Sequence, residues 1–160
     1  MITAILVARV GGLRPADLYL RRGKVKAWLI IGLVTFAVFT ALFLVQAGDQ
    51  DIGADRLFEY APWTLLFVFV NAFMEELHFR GLLLGSFERL LGRHSANICI
   101  ALFFILVHAP VQYTPDILVF LAPAWGYIIQ KTKALWGPVL FHAGADLMIM
   151  VGIYNTYETP

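Results

Sequence analysis

The sequence predicts an all-α fold, a polytopic transmembrane helical bundle of about five spanning helices. Three observations predict it. The 160-residue chain is 60% hydrophobic and 14% charged, with a mean hydropathy of +0.76, against about 45–50% apolar and about 25% charged in a soluble domain. Its apolar residues gather in runs close to the length of about 20 residues that a helix needs to cross a bilayer. These runs lack period-two alternation, which disfavours a transmembrane barrel.

The length suits one domain. Residues 1–26 read as a basic cytoplasmic N-terminal segment, 27–154 as the transmembrane helical domain and 155–160 as a short tail. Met1–Val10 is apolar but too short to span, and the basic cluster follows it instead of preceding it, so a cleaved signal peptide is not expected. The first span is Ala27–Ala47, free of charge. The second is Ala61–Leu84, with its helix running on to Leu91. The third is Ser95–Gln112. The fourth, Ile117–Gln130, is short and contains Pro123. The fifth is Ala134–Tyr154.

Lys and Arg number six before the first span, then one, two, zero, two and zero in the successive connections and tail. The positive-inside rule places the N-terminus in the cytoplasm and the C-terminus outside, in a plasma membrane. Trp28, Trp63, Trp125 and Trp136 mostly sit near span ends, as an aromatic belt does. The single cysteine, Cys99, excludes an internal disulfide and a cysteine-rich metal site. Membrane lipids are the expected surroundings, an oligomer stays open, and nucleic acid is not expected as a partner.

The anomaly is Glu75-Glu76-Leu77-His78-Phe79-Arg80, after an uncharged run from Ala61 to Met74. Ionisable groups at bilayer depth are costly, about 2.5–3.5 kcal/mol each on insertion scales, and mark functional sites. The deep ionisable groups are these, His108 in the third span, and His142 with Asp146 in the fifth. Counted at about 1.5 Å per residue, Glu75, His108 and Asp146 lie roughly 21, 20 and 18 Å into their spans and can meet near mid-bilayer. The site is therefore expected to be enclosed by helices two, three and five. Glu76 and Arg80, spaced i, i+4, can pair on one face and leave Glu75 free. His142 and Asp146 share that spacing, which lets a carboxylate orient an imidazole. His108 follows Phe104 by one turn. His78 reads as packing. Hydrogen-bonding side chains can glue helices together, but two acids, an Arg, two His and an Asp exceed what that requires.

A carboxylate in such a cavity can act as a base on water, and an imidazole can place the water or stabilise an oxyanion. Glu75, His108 and His142 can alternatively hold a divalent metal such as zinc. No His-Glu-x-x-His is present. Ser86 and Ser95 lie near helix ends, and Asp146 is the only deep Asp, so neither a serine nor a paired-aspartate intramembrane protease fits.

The motifs Glu75-Glu76-x-x-x-Arg80, Phe104-x-x-x-His108 and His142-x-x-x-Asp146, in this order, resemble those of the CAAX-protease and bacteriocin-processing family, also called the abortive-infection family. Its eukaryotic member is the Ras-converting endopeptidase. The resemblance covers about residues 61–154. It implies an intramembrane endopeptidase hydrolysing a peptide bond of a membrane-associated peptide or protein. By position, Glu75 would activate water with His108 helping to place it. His142 and Asp146 would stabilise the oxyanion, and Glu76 with Arg80 and Phe104 would support the site. Glutamate-activated water without a metal is the preferred route, so no cofactor is expected. Two features depart from the family: Asp146 stands where Asn is common, and the spans are fewer. A non-catalytic bacteriocin-immunity or peptide-binding membrane protein of the same family is the alternative. A small transporter would rest on the buried acids alone, without a broken-helix repeat.

Overall fold

The computed structural model describes residues 2–108 and 115–156. Positions 109–114, which hold the end of the expected third span and the start of the following turn, lie outside the described residues, as does most of the tail. Among the described residues there are only helices, turns and loops. Each of the five apolar segments corresponds to a helix: α2 (Val25–Asp49), α3 (Ala54–Glu76) with its continuation, α5 (Arg93–His108), α6 (Pro115–Thr132) and α7 (Trp136–Thr156). A first helix, α1 (Ile2–Val10), precedes them, and α4 (Gly85–Leu91) ends the continuation of α3. Three helical stretches are long and apolar enough to cross a membrane: Val25–Asp49, Ala54–Leu91 and Trp136–Tyr154. Arg93–His108 is a shorter apolar helix.

α7 is the central element. α2 and α3 pack along it, and α5 pairs with α6, which returns to α7. Gly32 and Gly144 let the backbones of α2 and α7 approach. A Cβ at Gly32 would run into Leu140, and one at Gly144 would crowd Phe36 and Phe39. Small residues serve this purpose in lipid, where packing replaces the hydrophobic drive between helices. α2 and α3 expose Val34, Val38, Leu66 and Val70 outward. A bundle in lipid presents such a surface without the penalty it would carry in water.

Between α3 and α4 the chain passes through a π-helical segment, Leu77–Leu84, without leaving the helical path. No sequence signal announced it. Such segments concentrate at functional sites because the extra residue per turn re-aims side chains. Here it starts at the residue after Glu76 and carries Arg80. α4 stops at Gly92, whose positive φ of 76° is open to glycine without steric cost.

The N-terminal segment is more integrated than its basic composition suggests. Leu18 and Tyr19 are buried. The Leu135 N–H donates to the Tyr19 carbonyl at 3.1 Å, and the Lys24 N–H to that of Thr132 at 2.8 Å. The loop is thus pinned to the turn between α6 and α7.

Candidate active site

The end of α3, the π segment, α5, α6 and α7 converge on two adjacent carboxylates. Glu76 is fully buried, and its Oε1 accepts from Arg80 Nη1 at 3.0 Å and from His142 Nδ1 at 2.9 Å. Arg80, also buried, donates through Nη2 to the Ala122 carbonyl at 3.0 Å. Its guanidinium carbon lies 4.5 Å from the ring centre of Phe104 and 5.1 Å from that of Trp125. Cation–π contacts gain from desolvation, so two aromatic faces suit a guanidinium removed from water.

Glu75 occupies a different setting, with 23% of its side chain exposed. Its Oε1 accepts from Asn71 Nδ2 at 3.2 Å. The same amide nitrogen donates to Asp146 Oδ2 at 3.1 Å, so both Asn71 protons are committed to carboxylates. Glu75 Oε2 is buried and has no hydrogen-bond partner. It lies 3.2 Å from His108 Nε2, out of line for a ring N–H bond, and 3.7 Å from His142 Nε2.

Both imidazoles are held from behind. His108 Nδ1 meets the Phe104 carbonyl at 2.8 Å, so the ring donates there and turns Nε2 toward Glu75. Phe104 stacks on the same ring at 4.2 Å between centres. His142 donates through Nδ1 to Glu76 and stacks on Trp125 at 4.4 Å with planes 10° apart. Its Nε2 faces Glu75 and lies 3.5 Å from Asp146 Oδ1. Two ring nitrogens and one unsatisfied carboxylate oxygen therefore face a common point.

The structure brings together Glu75, Glu76, His108, His142, Asp146, Arg80 and Phe104. It revises three expectations. Helix four belongs to the site, because α6 supplies Trp125 and the Ala122 carbonyl. Trp125 is fully buried and is not part of a belt; its place in the middle of the fourth apolar run was the available signal. The orienting partner of His142 is Glu76 and not Asp146, because the Nδ1 side of the ring points into the Glu76–Arg80 pair. Asn71 was overlooked, although a polar residue one turn before Glu75 in an apolar run marks the same helix face. His78 turns away and meets the Met74 carbonyl through Nδ1 at 2.6 Å. Although Glu75, His108 and His142 face one another, no group of three or more His, Cys, Asp and Glu among the described residues forms a metal-ligand set.

Residues 57–148, more than half of the chain, match the model of the family described as Type II CAAX prenyl endopeptidase Rce1-like. The chain belongs to this family. Membership and the apolar helices make it a membrane protein. No curated protein matches the chain. No solved structure matches it either. The matched stretch contains every candidate site residue, Asn71 and Trp125 included.

Proposed function

We propose that this Rce1-like protein is an intramembrane endopeptidase that hydrolyses a peptide bond of a membrane-associated peptide or protein. The observation that carries the reading is Glu75 Oε2, a buried carboxylate oxygen without a partner, flanked by two imidazole nitrogens. An unpaired buried acceptor costs about 1–3 kcal/mol or more. A water or a reacting group that donates to it removes that cost.

In the proposed reaction Glu75 Oε2 takes a proton from water as the oxygen attacks the scissile carbonyl. His108, fixed through Nδ1, positions that water with Nε2. The oxyanion forms beside His142. With Nδ1–H committed to Glu76, His142 donates to it as an imidazolium through Nε2. Asp146 supports that charge at 3.5 Å, and needs no proton of its own for this. Glu75 returns its proton to the leaving amine. No step passes through a metal.

The basic residues of the 14–26 segment, the α4–α5 corner and the α6–α7 turn share one end of the bundle. Asp49, Asp51, Asp55 and Glu59 lie at the other. This polarity supports the N-terminus in the cytoplasm of a plasma membrane. The test is cleavage of a lipid-anchored peptide by the reconstituted full chain. Cleavage undiminished by excess chelator, with no metal bound in stoichiometric amount, is expected. Zinc lost together with activity would overturn the metal-free route. No cleavage of any anchored peptide, with tight binding instead, would favour an immunity or peptide-binding role.

A further inference from the structure

Away from the catalytic groups, the basic end of the bundle contains a cavity of about 490 Å³ lined by Arg14, Arg21, Arg89, Lys133, Tyr19 and Glu88, among others. Its walls come from the N-terminal loop, α4 and the turn after α6. α2 and α7 enter their apolar stretches within a few residues of it. It therefore sits where a lipid headgroup would lie.

The cavity carries two opposite signals. Arg21, Arg89 and Lys133 bring cationic side chains to it. Asp17 is paired with Arg14, and hydrogen bonds from Arg14 hold its carboxyl below the usual range. The remaining acid, Glu88, is half satisfied. Its Oε2 accepts from the Tyr19 hydroxyl at 3.1 Å, whereas its Oε1 is buried and has no hydrogen-bond partner. Burial and Glu88 push the Tyr19 hydroxyl up to about 12, so it remains a donor at neutral pH.

The backbone is bent to make this place. Tyr19 and Lys133 both hold positive φ, 56° and 59°, although neither is glycine. Lys133 ends α6 where glycine would fit without strain. The lysine instead puts its ammonium 6.0 Å from the Tyr19 ring centre, and Arg21 lies 6.0 Å from the same ring. Strain of this kind persists where a side chain is needed for a task.

We propose that this cavity binds a phospholipid headgroup carrying a phosphodiester and a primary ammonium. Arg21, Arg89 and Lys133 hold the phosphate. Glu88 Oε1 accepts from the ammonium. A choline headgroup offers the same phosphate but no N–H donor, and a glycerol headgroup offers a hydroxyl without the charge.

The experiment is native mass spectrometry of the full chain with ethanolamine, choline and glycerol phospholipids of identical acyl chains. One ethanolamine lipid should be retained per chain, about tenfold more tightly than the choline lipid, as one charge-assisted hydrogen bond provides. Glu88→Gln, which can still accept from Tyr19, should bring the two lipids to within about twofold. Arg89→Gln with Lys133→Gln should weaken both. Equal retention of the choline lipid, or a preference that survives Glu88→Gln, would overturn the proposal. Tighter glycerol than ethanolamine binding would overturn the ammonium assignment. Equal affinity for soluble O-phosphoethanolamine would overturn the lipid source.

Discussion

Glu75 and Glu76 are consecutive residues of one helix, yet they lie in opposite surroundings. The Glu76 side is closed: its Oε1 accepts from guanidinium and imidazole, its Oε2 is unpaired as well but faces no second imidazole, and the carboxylate is fully buried. The Glu75 side is open: an amide holds one oxygen, and the other faces two imidazole nitrogens without a bond. A rotation of about 100° along the helix separates a group that holds the fold from the group proposed to react. The two layers share His142, which is fixed by the first through Nδ1 and serves the second through Nε2.

The largest effect should come from breaking the closed layer. Arg80→Ala takes the guanidinium from the buried Glu76 carboxylate, leaving it the His142 contact, and should cost about 3–5 kcal/mol of stability, read as a lowered unfolding midpoint in detergent. Activity should fall with the folded fraction. His142→Ala separates the layers. It should lower kcat by about 10²–10³-fold, the scale of one lost oxyanion donor, measured on protein whose helical signal matches the wild type. Asn71→Leu touches only the open layer. It removes one amide bond from Glu75 and one from Asp146, and should lower kcat about tenfold with KM little changed. Tyr154→Phe is the control far from both layers. It breaks the buried hydroxyl contact with Thr64, should cost about 1 kcal/mol of stability, and should leave kcat per folded molecule unchanged.

Much of this arrangement was legible in the sequence, because lipid makes charge conspicuous. Glu75, Glu76, Arg80, His108, His142 and Asp146 stand out against uncharged runs, and i, i+4 spacing pairs Arg80 with Glu76 correctly. The five apolar runs locate the five long helices for the same reason. What stayed hidden was set by packing and not by composition. Trp125 is unremarkable in an apolar run until α6 stacks it on His142. Asn71 carries no charge, so its bridge to Asp146, 75 residues away, has no local signature. The π-helical segment Leu77–Leu84 depends on backbone geometry that no spacing rule marks. Tyr19 and Lys133 take left-handed conformations that the sequence would assign to glycine, and so the cavity between them was not anticipated either.

The most direct test replaces the oxygen proposed to react without changing its shape. Glu75→Gln should fold with the wild-type unfolding midpoint and lipid-exposed helical content, yet cleave an anchored peptide about 10²–10⁴-fold more slowly, the range of a lost general base. A folded Glu75→Gln protein that cleaves at the wild-type rate would contradict the account.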